Sequence, residues 1–483
     1  MNAFRRIAFR LWDSPTAATW ARMATHLGAV AILLPFVLRA FPTEAIAVYL
    51  LFATVSSLQA LFTLGFTPTF ARFFAYGRAG ATVSAIKGMQ QGSRDSPPPT
   101  AEDGPNRETI ARVAASGSRI YAWLAVAALV LLATGGSALV ARPINALPNP
   151  SEGWAAWFAV GSVISFNTGM AFYYALLTGL GHVAQAGRRE AVAGAGGIVT
   201  ALAVLLLNGG LLEVVLARYA WLAAGRLALF RAARQSEPAA ARAAAAPTDP
   251  TLNRVAWRSA WRSATGMLGG NAIGHGLGAF YSAAASSAEL ASFLLSFRLV
   301  QAIASLSQAP FYSRLPELNR LYAAGERQCF ADCATRRVGF ALWTFALPAA
   351  ALFVVGDYAL DRLAANAKLA SPPILSALAF AFFTERYCGM LLQIHTATNQ
   401  VLWHWHALAY GCAVFAVIVP LYRSFGAFGL AAALLLARLI ASLPFTVALL
   451  HKTVGRDGRR VHAAAAGPAA ALGLAAITLL YGL

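Results

Sequence analysis

The chain has 483 residues, 58% hydrophobic and 12% charged, with 38 Lys and Arg against 19 Asp and Glu for a formal charge of +19. Soluble proteins average about 45–50% apolar and about 25% charged residues, so this composition excludes a soluble globular fold, which would lack the charges to cover its surface. The basic excess raises nucleic acid as a partner, but its placement along the chain accounts for it without one.

Apolar runs of about 20 residues, each long enough to cross ~30 Å of hydrocarbon as a helix, recur from one end of the sequence to the other. They predict spans near 17–39, 44–66, 119–141, 153–177, 191–210, 211–230, 264–286, 288–310, 338–359, 372–396, 401–422 and 425–449, and a further apolar stretch at 463–483 predicts a thirteenth. Membrane β-strands alternate every second residue, whereas Ala122 to Leu132 is apolar on every face. The expected fold is an all-α integral membrane protein with 12 core transmembrane helices and an extra C-terminal helix.

The start, MNAFRRIAFRLW, has the basic region of a signal peptide, but the apolar run after it ends in Leu38-Arg39-Ala40-Phe41-Pro42 without a small-residue cleavage site, so it reads as a retained first helix. Residues 87–106, with GSRDSPPPTAEDGPN, read as a disordered cytosolic insertion. The Ala/Pro-rich segment 235–258 reads as a cytosolic linker between two six-helix lobes, 1–234 and 259–450, followed by a basic segment and the extra helix at 451–483. Pro68 to Arg72 and Pro310 to Arg314 share a P-x-x-x-R pattern, each closing the second span of its lobe. Six spans return the chain to its starting side, so the lobes read as parallel repeats.

With the N-terminus inside, inner segments, counted with Arg119 and Arg226 toward the inner ends of their spans, carry 28 Lys and Arg, and outer segments carry five: Arg39, Arg142, Arg362, Lys368 and Arg423. That asymmetry follows the positive-inside rule, gives a cytoplasmic N-terminus, and makes most of the excess charge topological. Cys329, Cys333, Cys388 and Cys412 fall on inner segments or in spans, away from an oxidising compartment. Cys329 and Cys333 lie a turn apart without other metal-type ligands, and His404 and His406 alternate with Trp403 and Trp405 as an interfacial anchor, so neither metal nor cofactor is expected.

Residues 33–80, with Arg39, Glu44, Gly65-Phe66 and Arg72, resemble the opening of the Wzx-type polysaccharide (O-antigen and exopolysaccharide) flippases of the multidrug/oligosaccharidyl-lipid/polysaccharide (MOP) superfamily. FRLVQAIASLSQAPFYSRLPELNRLYAAG, from Phe297 to Gly325, is similar to that family's eighth helix and the segment after it. Together these matches cover under a fifth of the chain. The resemblance implies a V-shaped pair of six-helix lobes in the bacterial inner (cytoplasmic) membrane. It implies alternating-access export of an undecaprenyl-diphosphate-linked glycan for polysaccharide biosynthesis, with membrane lipids and other polysaccharide-assembly membrane proteins as partners and no nucleic acid.

After loops are assigned, five arginines remain inside predicted spans: Arg22, Arg218, Arg298, Arg386 and Arg438. Each costs about 2.5–3.5 kcal/mol at mid-helix on insertion scales, so each needs a partner, a wet cavity or a route to the interface. Arg298 lies roughly 15 Å into its span, and Arg386 and Arg22 in the cytoplasmic half. These three are the expected cationic cavity, because guanidinium groups bind phosphate oxygens in bidentate fashion and stay charged. Arg22 has snorkelling to the interface as its other reading, and the resemblance, in which the positions of Arg218 and Arg438 are peripheral, implies structural roles for those two. Glu385 precedes Arg386, but neighbouring helical residues point about 100° apart, which argues against a pair between them.

Asn167, Asn271, His275 and Gln301 are candidate polar lining, with helix-to-helix hydrogen bonding as the alternative. Gly269, Gly270, Gly274, Gly276 and Gly278 form either a hinge or a close packing face. Two other functions compete. A cation-coupled drug antiporter of the same superfamily would need membrane-embedded acids, which arginines outnumber here. A membrane glycan polymerase or ligase would need a large outer loop with catalytic residues, and no paired carboxylates, nucleophile motif or phosphate-cradling loop stands out.

Overall fold

Helix is the regular structure throughout the described residues of the computed structural model, which are 18, 21–22, 24–25, 28–63, 65–78, 80–84, 105–243, 249–267, 273–312, 314, 318, 321–322, 326–398 and 402–481. Hydrocarbon offers a backbone no water, so a lone segment crosses it only by satisfying its own hydrogen bonds, as a helix does. Among the described residues, seven helical stretches are long and apolar enough to cross: Arg107–Asn145, Pro150–Gly179, Val183–Leu206, Ser287–Tyr312, Arg327–Arg362, Pro372–Thr396 and Trp403–Tyr481, with shorter apolar helices at Ala29–Ala40 and Thr43–Ser57. The chain is a multi-pass membrane protein. The last stretch, at 79 residues, far exceeds one crossing at about 1.5 Å per residue. It turns at Gly426 (φ 55°) and Gly455 (φ 63°), in the left-handed region that glycine enters without a Cβ clash. The apolar tail expected as a further span is helical from Gly458 to Tyr481.

The residues group into two compact units, Met1–Phe41 with Phe52–Met267 and Pro42–Leu51 with Leu268–Leu483. In the first, the helices used below are α1 (Ala29–Ala40), α2 (Phe66–Arg78), α3 (Arg107–Asn145), α4 (Pro150–Gly179), α5 (Val183–Leu206), α6 (Leu211–Ser236) and α7 (Pro250–Met267). Phe66, Phe70, Phe73 and Phe74 of α2 are buried, and their spacing places them along one side of the helix. Phe70 meets the Tyr121 ring of α3 and Phe74 the Phe172 ring of α4, with centroids 6.1 Å apart in both pairs. The Tyr121 hydroxyl is satisfied by donating to Thr67 Oγ1 at 2.9 Å.

Of the insertion at 87–106, only Pro105 and Asn106 are among the described residues, and Asn106 caps α3 by accepting from the Thr109 backbone at 2.9 Å. The Ala/Pro-rich 235–258 segment is largely helical on either side of 244–248: α6 runs to Ser236, a short helix covers Pro238–Ala243, and α7 starts after Asp249. Asp249 Oδ1 accepts from the Thr251 backbone at 2.8 Å. α5 starts at Val183 rather than near 191, which moves Arg188, Arg189 and Glu190 from an expected loop onto the helix.

The second unit contains α8 (Ile273–Ser282), α9 (Ser287–Ser307), α10 (Arg327–Arg362), α11 (Pro372–Thr396), α12 (Trp403–Ala437), α13 (Leu443–Val454) and α14 (Gly458–Tyr481). Ser286-Ser287-Ala288-Glu289 starts α9 with a reciprocal capping box: Ser286 Oγ accepts from the Glu289 backbone, and Glu289 Oε2 from the Ser286 backbone at 3.0 Å. α11 is the most buried of the candidate spans and carries Phe382, which meets Phe297 of α9 at 5.2 Å between ring centroids.

Candidate functional site

Glu190 sits on α5 where three helical segments meet. A Cβ added at Gly187 or Gly194 would stand 3.0 Å or 2.7 Å from Ala18 or Thr25, and one at Gly28 3.4 Å from Ile198. The paired numbers rise together, so the N-terminal helical residues run parallel to α5, and that register sets Arg22 opposite Glu190. On the other side the numbers run in opposite senses, with Gly225 against Ala193 and Gly196 against Trp221, so α6 is antiparallel and delivers Arg226. Arg226 Nη1 donates to Glu190 Oε1 at 2.8 Å, and Arg22 Nη1 to Oε2 at 3.4 Å. The Glu190 side chain is 16% exposed and that of Arg22 42%.

A second cluster of the same composition lies in the other unit. Glu385 is 13 positions from Pro372 and 11 from Thr396, so it stands near mid-helix, roughly 16–20 Å from either end. Arg386 donates to Glu385 Oε1, and Arg438 Nη2 lies 3.2 Å from Oε2. Arg438 opens a π-helical turn, Arg438–Ser442, of the kind that recurs at functional positions. Its side chain is 5% exposed, and its guanidinium lies 3.5 Å from the ring centroid of buried Tyr410.

The Glu385–Arg386 contact differs from the sequence expectation. Cα–Cβ directions 100° apart do not decide where long side chains end, and in a protein interior the ion pair rewards a bent-back rotamer. Of the three expected cavity cations, Arg22 and Arg386 are thus each joined to a carboxylate. Arg298 is half-buried on α9 and also has an interaction partner, as does Arg218. Glu190 escaped the sequence reading because its span was begun at 191, one residue too late, and Arg226, within the span 211–230, was counted with the inner segment beyond it.

Asn167 is buried within the first unit, with no hydrogen-bond partner for Oδ1 among the described residues. Gln301 is half-buried on α9. Asn271, Gly269 and Gly270 lie outside the described residues, as does the His275 side chain, while Gly274, Gly276 and Gly278 lie on α8. Among the described residues no group of three or more His, Cys, Asp or Glu side chains converges as a metal site.

No family model and no curated protein matches the chain. Solved structures do. The inward-facing conformation of a multidrug resistance MATE family transporter of the MOP superfamily is similar at TM-score 0.58 and 14% identity, over 92% of this chain and 98% of that one. Lipid II flippase MurJ in an inward closed conformation is similar at 0.57 and 11%, over 93% and 92%. A MOP superfamily transporter from Pyrococcus furiosus, described by the reverse polarity of its binding pocket, is similar at 0.50 and 12%, over 94% and 98%. The chain shares its fold with these structures.

Proposed function

We propose that the chain is a MOP-type flippase that carries a polyprenyl-diphosphate-linked oligosaccharide from the cytoplasmic to the outer leaflet of a bacterial inner membrane by alternating access. The observation that carries this reading is the charge balance of the two clusters. Glu190 and Glu385 are each shared by two arginines, so each cluster keeps a formal charge of +1 inside a membrane protein. A shared carboxylate makes the arginines affordable in hydrocarbon while leaving a residual field that attracts a diphosphate. As the substrate arrives at the Glu190 cluster, phosphate oxygens replace carboxylate oxygens on Arg22, the more exposed guanidinium, and Arg226 holds the carboxylate in place. Arg298, on a helix of the second unit packed against α11, is assigned an anion contact of its own.

In this reading the chain has twelve core helices in two parallel six-helix lobes, a thirteenth at the C-terminus and a cytoplasmic N-terminus. No bond is made or broken, and the chain is not an enzyme.

A cation-coupled drug antiporter is the second reading, supported by the MATE transporter being as similar in fold as the flippase. Glu385 would then be the coupling acid. Purified protein in sealed vesicles separates the two. The flippase reading expects movement of a short-chain prenyl-diphosphate disaccharide between leaflets, reduced about tenfold, or about 1.4 kcal/mol in the barrier, by Arg298→Ala at equal incorporation. Proton-driven uptake of a cationic dye, abolished by Glu385→Gln, with an immobile prenyl diphosphate would replace it with the antiporter.

A further inference from the structure

The α5–α6 pair holds a feature outside the two carboxylate clusters. At their crossing, a Cβ on Gly225 would come within 2.6 Å of the Ala193 Cβ, and one on Gly196 within 2.5 Å of the Trp221 ring. Small residues thus bring the backbones together, the usual device where lipid is as apolar as any side chain. Beside this crossing is a cavity of about 600 Å³, lined by Gln185, Arg188, Arg189, Val192, Trp221 and Ala224, with small residues of both helices as its floor.

Three observations assign the occupant. Val192 is 54% exposed and Ala224 is exposed, so the cavity opens on the flank of the pair, and the flank of a span as apolar as α5 faces lipid. Both arginines lie within about 9 Å of the Val183 end of α5, whereas residues 195–217 of the pair carry no Lys or Arg. No carboxylate lines the cavity, and Glu190 next door is engaged by Arg22 and Arg226. Arg189 spends one donor on the Gln185 carbonyl at 3.0 Å, which anchors its guanidinium, and a guanidinium has five. The result is an apolar trough with a cationic rim at the basic end of the helices, the arrangement by which pockets between membrane helices hold anionic headgroups.

We propose that this cavity binds an anionic phospholipid, its phosphate on Arg188 and Arg189 and one acyl chain along Val192, Trp221 and Ala224. The site is separate from both carboxylate clusters and stands whichever substrate the protein carries. Native mass spectrometry of the full chain in detergent, offered equimolar phosphatidylglycerol and phosphatidylcholine of equal chain length, tests it. Wild type should retain phosphatidylglycerol roughly tenfold better than phosphatidylcholine, and R188A/R189A should lose that preference. Ala224→Leu, which fills the trough on an exposed position and leaves the charges intact, should weaken both lipids and keeps the test open if the double variant fails to fold. Excess inorganic phosphate should not displace the lipid. Equal retention of the two lipids by wild type, unchanged phosphatidylglycerol binding in a folded double variant or in Ala224→Leu, or displacement by inorganic phosphate alone would overturn the assignment.

Discussion

Glu190 and Glu385 face the same electrostatic problem with the same residues, but their settings differ. Glu190 lies about 10 Å from the end of α5, and its partner Arg22 is 42% exposed, so that cluster can exchange partners with its surroundings. Glu385 lies near mid-helix in the most buried span, and its partner Arg438 is enclosed and stacked on Tyr410. One charge composition therefore serves a labile contact in one unit and a fixed element of the core in the other.

The largest expected effect tests that contrast directly. Glu385→Gln leaves two enclosed guanidinium groups without their shared counter-charge and should cost about 3–5 kcal/mol, read as loss of thermal stability in detergent. Glu190→Gln should cost about 1 kcal/mol, because Arg22 can turn outward. Equal losses would erase the distinction.

Next in size is the packing that sets the register of the first cluster. Gly194→Val places a methyl-bearing carbon against Thr25, where even a Cβ would stand 2.7 Å from Oγ1, and should cost about 1–3 kcal/mol. In that background Arg22→Ala should add nothing further, because the Arg22–Glu190 contact is already lost. A double-mutant cycle showing full additivity would mean that this close approach does not position Arg22.

A smaller difference separates the arginines themselves. Arg438→Lys keeps the charge but loses the flat face on Tyr410 and the fork geometry, and should cost about 1–2 kcal/mol. Arg22→Lys should change stability by less than about 0.5 kcal/mol. Comparable melting shifts for the two lysine variants would make the second cluster as labile as the first.

Much of the architecture was legible in the residues. Apolar runs such as Ala122 to Leu132 have one physical solution in hydrocarbon, and that solution is local, so helix and membrane follow from a window of sequence. Span ends were less legible. α5 extends back to Val183 because Gly187 and its neighbours are covered by the N-terminal helix, and a hydropathy window reads Arg188-Arg189-Glu190 as loop without knowing of that cover. The intramembrane arginines were visible as rare residues in costly places, but their partners were not. Arg386 illustrates the limit: its partner is the adjacent residue, and an idealised helix projection still argued against the contact.

By itself the sequence determined a helical, multi-pass, cationic membrane protein, because hydrophobicity and charge act residue by residue. Only the tertiary structure decided which arginines share which acid. Arg22 and Glu190 are 168 positions apart and meet through glycines that let two helices approach, and Arg438 reaches Glu385 from a π-helical turn on a different helix. Such contacts depend on helix register and interaxial distance, which belong to pairs of segments and are written in neither one alone.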